Sequence, residues 1–239
     1  MKKTLVLSII LAFSFIISNA QNTHRIPQNL AFLDAKPIHW GFTFGANISN
    51  FTIYKSQTFV NNTDSIQILG IENFSTPGMF LGPIVNFRLG RFIDFRILFD
   101  ISLVQRKFSY YELLADSSLK TTEIQVPSYF IELPALVKLK GARINNFRPY
   151  LVTGAAFKYD LASMRKVDPN APYLITNPVD FYLEIGPGFD FYLPYFKFSI
   201  ELKYSGGLLN MLGPQNTIYS RSIASLKSNT FMISFHFED

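Results

Sequence analysis

Between Asp180 and Ser205 the chain reads DFYLEIGPGFDFYLPYFKFSIELKYS, and polarity alternates residue by residue through both halves. Phe181, Leu183, Ile185, Phe189, Phe191 and Leu193 share one parity; Tyr182, Glu184, Gly186, Gly188, Asp190 and Tyr192 share the other. A period of two belongs to a strand. After a tight connection near Pro194 the alternation resumes, with Phe196, Phe198, Ile200, Leu202 and Tyr204 against Lys197, Ser199, Glu201, Lys203 and Ser205. This is a hairpin with one apolar and one charged face, so the chain folds either as a soluble β-protein or as a membrane barrel.

The same pattern recurs along the chain. Strands are predicted over 38–53, 78–90, 92–108, 124–140 and 147–159, then the hairpin, then 229–237, which makes eight. Ile93, Phe95, Ile97, Phe99, Ile101 and Leu103 interleave most cleanly with Asp94, Arg96, Asp100, Ser102 and Arg106, whereas 147–159 carries apolar residues on both parities. The intervening stretches 54–77, 110–122, 160–178 and 206–228 are long and polar; those near Gly90, Gly141 and Pro194 are short. Alternating long and short connections are what an up-and-down outer-membrane barrel with short periplasmic turns and long outer loops requires. Greek-key crossovers give no such order. Pro83, Pro134 and Pro187 fall inside strands, where each removes a ladder donor, and bulges are expected there.

Residues 1–20 have the basic start, apolar run and small-residue Ser18-Asn19-Ala20 end of a secretory signal peptide, and 21–37 read as a periplasmic lead-in to a barrel domain over 38–239. Both termini are then periplasmic. The absence of cysteine excludes a disulfide scaffold and a Cys nucleophile. The formal charge of +5 falls to +3 without Lys2 and Lys3, and the remaining basic residues are scattered among acids, so no nucleic-acid partner is indicated.

Volume decides which face looks inward. The bore of eight strands is just wide enough for side chains to fill, and a near-continuous set of Phe, Ile and Leu would overfill it. The expected fold is therefore an all-β, eight-stranded antiparallel up-and-down transmembrane β-barrel, with the apolar face in contact with outer-membrane lipid. The lumen set is Arg88, Asp94, Arg96, Asp100, Arg106, Glu132, Lys138, Glu184, Asp190, Lys197, Glu201 and Lys203. Buried charges persist when paired and hydrogen-bonded, so this set is expected to form a salt-bridge network that closes the bore.

Nothing in the chain points to catalysis. His24, His39 and His236 are too scattered for a metal site, although pairing of the first and last strands could bring His39 near His236 at the rim. Ser234 and His236 share a strand face but point to the lumen. Ser163-Met164-Arg165-Lys166 matches S-x-x-K without companion motifs, and Gly186-Pro187-Gly188 lacks the strand-turn-helix setting of a phosphate loop. The expectation is a non-enzyme with no cofactor, metal or small-molecule substrate.

Three stretches, FLDAKPIHWGFTFGANISNF at 32–51, YFIELPALVKLKGARINNFRPYLVTGAAFKYDLAS at 129–163 and FYLEIGPGFDFYLPYFKFSIELKYSGGLLN at 181–210, resemble the PorT (SprT) family of the Bacteroidota type IX secretion and gliding machinery. That family is similar in turn to the wider group of outer-membrane β-barrel proteins. The resemblance implies an outer-membrane component needed for protein export, with other secretion-machinery proteins as partners and no catalytic residues. The alternatives are a general barrel with an envelope-stabilising or adhesive role, and a small pore.

Overall fold

The computed structural model describes residues 27–56, 67–114, 118–164, 174–214 and 218–239. The expected signal peptide lies outside them. The strands are β1 (Ile38–Lys55), β2 (Gln67–Arg88), β3 (Ile93–Leu98), β4 (Asp100–Leu113), β5 (Leu119–Lys140), β6 (Phe147–Asp160), β7 (Val179–Tyr192), β8 (Lys197–Gly207) and β9 (Ile223–Glu238). Every adjacent pair is antiparallel, and β1 pairs with both β2 and β9, which closes the ring. Because β3 and β4 occupy one position between β2 and β5, the barrel has eight strands. Closure leaves no edge, as a sheet in lipid demands.

The break between β3 and β4 has a local cause. Phe99 lies level with Pro83 on β2, and Leu98 before it lies level with Pro134 on β5, two residues without an N–H, and both ladders lapse there. The ladder between β7 and β8 lapses in the same way at Gly186 and Pro187. The expected bulges are absent at all three prolines, since the register on either side is unchanged. The registers shift instead between Ser75 and Met79, around Pro77-Gly78, and between Ile68 and Gly70.

The strands also run further than expected. β2 begins at Gln67, β4 continues to Leu113, β5 starts at Leu119 and β9 starts at Ile223, so much of three stretches read as loops is strand. At the long-loop end of β4 and β5 the two faces exchange character. Below it, Ile93, Ile97, Phe99, Ile101 and Leu103 point outward while Asp94, Arg96 and Asp100 are buried inside. Above it, the outer face carries a Gln105–Gln125 hydrogen bond of 2.9 Å and a Lys107–Glu123 ion pair of 2.7 Å, while Phe108, Tyr110, Ile124 and Val126 are buried.

The lower part is therefore built for lipid and the upper part for water. From Ile93 to Leu103 the apolar outer run rises roughly 33 Å along the strand at ~3.3 Å per residue, or about 25 Å along the barrel axis at a tilt near 40°, the height of an outer-membrane apolar band. The seam between the first and last strands is zipped on the lipid side by Phe42 stacked on Phe237 at 4.9 Å and by Phe44 beside Phe235 at 5.5 Å.

Candidate functional site: the charged lumen and its two closures

Alternation sends every second side chain of each strand into the bore, where charges from different strands meet. Near the short-turn end, Lys140 Nζ lies 2.6 Å from Asp94, Lys138 Nζ lies 2.8 Å from Asp190, and Lys197 Nζ lies 3.0 Å from Glu238. Ser199 adds a 2.6 Å hydrogen bond to Asp190. One step deeper, the Arg96 guanidinium spans Glu201 at 2.8 Å and Glu238 at 3.3 Å and donates from Nε to Asn86 at 2.9 Å. Tyr150 donates to Glu201 at 3.0 Å, and its ring lies under the Lys138 ammonium at 3.8 Å. Each of these charges is buried from solvent yet paired, the condition on which ions persist in an interior.

Above a small apolar layer of Ile84, Leu98, Leu136 and Val152, the charges return. Lys158 meets Glu132 at 2.9 Å and Lys203 meets Glu184 at 2.7 Å, with Asp100 within electrostatic reach of all four. Arg106, the uppermost cation, is held by Ser128 at 3.3 Å and Ser228 at 2.8 Å and lies over the Phe51 ring at 4.3 Å.

Glycine placement makes room for this packing. A side chain at Gly188 would stand 2.2 Å from the Tyr150 ring, and one at Gly45 would stand 2.5 Å from the Phe80 ring. Both aromatic rings are buried in the bore, each seated over a residue with no side chain of its own.

Eleven of the twelve residues assigned to the lumen from the sequence are buried inside it. Arg88 is the exception: it ends β2 at the rim and is exposed, while Asp94, opposite it in the register, turns to Lys140. Sequence reasoning missed Glu238, Lys158, Tyr150 and Asn86 as network members. Glu238 lies one residue past the expected end of the last strand, and Lys158 lies on the strand whose two parities are both apolar. His39 and His236 do not meet. His236 is level with Thr43 and lies 3.5 Å from Glu201, whereas His39 contacts the Asp239 carbonyl at 3.1 Å. Ser163 donates to the Asp160 carbonyl at 2.7 Å, and the rest of that S-x-x-K match, Arg165 and Lys166, falls outside the described residues.

Both ends of the bore are stoppered. At the long-loop end an apolar plug of Phe51, Ile68, Phe108 and Leu226 receives Leu174 and Met211 from the connections β6–β7 and β8–β9. Met211 is fastened by its N–H to the Leu226 carbonyl at 2.8 Å. At the short-turn end the lead-in folds under the barrel. Asp34 takes Arg148 at 2.9 Å, Arg143 at 3.1 Å and the Tyr192 hydroxyl at 3.0 Å, and Leu33 beside it is buried. Burial alone would raise the Asp34 pKa, but the two guanidinium groups and the hydroxyl hold it below the usual carboxylate value. Asn29 adds bonds to Asn146 at 2.8 Å and to the Tyr192 carbonyl at 3.0 Å. Among the described residues no group of three or more His, Asp or Glu is placed to hold a metal ion.

A closed antiparallel ring with an apolar belt outside and paired charges within defines a transmembrane β-barrel of an outer membrane. The family described as "Outer membrane protein beta-barrel domain" matches residues 19–213, and the chain belongs to it. Among solved structures it is similar to OprG from Pseudomonas aeruginosa, with 10% identity over 84% of this chain and 95% of that one and a TM-score of 0.45. It is also similar to Neisserial surface protein A, with 12% identity over 84% and 97% of the two chains and a TM-score of 0.43. Ail of Yersinia pestis, solved with the heparin analogue sucrose octasulfate, gives 12% identity over 85% and 100% and a TM-score of 0.37. At these values the likeness is one of fold. No curated relative matches the chain.

Proposed function

We propose that this chain is a sealed outer-membrane barrel, with both termini in the periplasm, that acts through protein contacts as a component required for export by the type IX secretion system. The observation that carries the sealed reading is a bore filled by ion pairs, Arg96 with Glu201 and Lys138 with Asp190 between strands that are not neighbours, Lys158 with Glu132 and Lys203 with Glu184 between neighbouring ones, and stoppered at both ends. A barrel filled in this way leaves no bore for solutes, so its outer surfaces and ends do the work. The export role rests on the resemblance of 32–51, 129–163 and 181–210 to the PorT family. The lead-in supports it as a contact surface, because its backbone is pinned to the barrel while Phe32 stands 88% exposed.

Deleting the gene and assaying secretion of type IX cargo tests the role: loss of export, restored by the wild-type chain, is expected, and normal export contradicts it. The orientation is tested separately. The chain has no cysteine, so Ser225→Cys above the apolar belt should be labelled by an impermeant maleimide on intact cells, and Ile144→Cys in a short turn should not.

The second reading is a general barrel that stabilises the envelope or adheres to partners. It draws on β4 and β5, which continue past the belt with Gln105, Lys107, Glu123 and Gln125 facing outward. Lost adhesion with intact export in the deletion strain would favour it.

A further inference from the structure

The outer wall carries a groove where β7, β8, β9 and β1 run side by side, a depression of about 480 Å³ open toward lipid. Ile48, Ile185, Leu202, Tyr204, Phe231 and Ile233 line it, with the shorter Ala46 and Pro187 among them. Pro187 also explains why Lys203 borders it: the β7–β8 ladder lapses there, exposing the backbone of a residue whose ammonium is bound inside to Glu184.

One pleat toward the long loops the wall changes from apolar to polar. Ile48 and Phe231 are followed on the same outer face by Asn50 and Asn229, then by Thr52 and Lys227. Tyr204 donates its hydroxyl proton to Asn229 at 2.9 Å, and Asn229 donates to Thr52 at 2.7 Å, so the phenol marks the boundary of the bilayer. No acid occurs between Leu202 and Phe237 in the chain, whereas Lys227, on the outer face beside Thr52, is basic. An apolar groove at bilayer depth beneath a cationic, hydrogen-bonding rim has the polarity profile of an anionic lipid: chain below, phosphate above.

We propose that this groove binds one acyl chain of a phosphorylated glycolipid of the lipid A class, with its phosphate beside Lys227. The choice of that lipid rests on the proposed orientation, which places the long-loop end in the outer leaflet. A water-soluble partner cannot reach a groove at bilayer depth.

The test is native mass spectrometry of the full mature chain in detergent, offered lipid A, phosphatidylglycerol and phosphatidylcholine at equal concentration. Lipid A should be retained ahead of both at one per chain, and Lys227→Gln should weaken that retention about fivefold, the effect of one lysine at a membrane surface. Ala46→Phe, which fills the groove, should abolish retention. Equal retention of phosphatidylcholine, a preference for phosphatidylglycerol over lipid A, or unchanged binding by both variants would overturn the proposal. A dimer dissociated by Ala46→Phe would assign the groove to a second copy and overturn it as well. Labelling at Ser225→Cys reports the orientation on its own, so a wrong orientation is told apart from a wrong ligand.

Discussion

The Lys138 ammonium stands 2.8 Å from both carboxylate oxygens of Asp190, two residues that are 52 positions apart and both buried in the bore. Neither strand bearing them touches the other: β5 and β7 are separated by β6, so the pair spans the barrel interior rather than one ladder. Removing one partner leaves an uncompensated buried ion. Asp190→Asn should therefore cost about 3–5 kcal/mol, read as a shift of the urea midpoint in micelles. The double variant Lys138→Met with Asp190→Leu should recover most of that loss, because well-packed apolar residues often replace a buried pair without penalty.

The apolar belt has a definite upper edge. Ile97→Arg, in mid-belt, should destabilise by about 2–4 kcal/mol in a bilayer. Gln125→Arg, outside the belt and above its edge, should change stability by less than about 0.5 kcal/mol. Equal effects at the two positions would place the belt elsewhere.

At Gly188 the Tyr150 ring occupies the space a side chain would need, with the nearest ring atom at 2.2 Å. Gly188→Val should displace that ring from Lys138 and Glu201 and cost about 1–3 kcal/mol by overpacking. Pairing it with Tyr150→Ala should relieve the clash, and a second variant no better folded than the first would contradict this seating.

The lead-in clamp responds to acid. Because Asp34, paired with Arg143 and Arg148, is held below the usual carboxylate value, its contribution is complete above the pKa of the unfolded carboxylate and is lost as pH falls through the lower value of the clamped state. Hydrogen exchange at the amides of Leu33, Ala35 and Lys36, which are bonded to the carbonyls of Leu30, Phe32 and Leu33, should be protected at pH 6 and should lose protection progressively as the pH is lowered below the range of an ordinary carboxylate, after correction for intrinsic rates. Asp34→Asn should lose protection already at pH 6, and a variant as well protected there as the wild-type chain would show that the clamp does not depend on this carboxylate.

Much of the barrel was legible because alternation and bore volume are local and arithmetic constraints. Ile93 to Leu103 reveal their facing without any knowledge of neighbours, and eight strands cannot hold that many Phe and Ile residues inside. What escaped followed from tertiary context. The stretch QILGIENFSTP at 67–77 looks like loop because its outward residues are wetted by water rather than lipid, and the apolar parity moves inside there with Ile68 and Ile71. Phe108 and Tyr110 continue the parity of Arg106 into the plug, so a rule that sends every aromatic residue to lipid misplaces them. Arg88 keeps a lumen parity but sits where the wall ends. The lead-in clamp had no sequence signal, since Asp34 and Arg148 are brought together only by closure of the barrel.

Conductance across a planar bilayer tests the sealed lumen most directly. Purified barrel that inserts, as shown by heat-modifiable migration recovered from the same membranes, should leave the baseline current unchanged at 0.15–1 M salt, because paired charges and two stoppers leave no continuous water path. Reproducible unitary steps from the wild-type chain would mean that the charges line an open channel, and the account of a closed barrel working through its surfaces would be wrong.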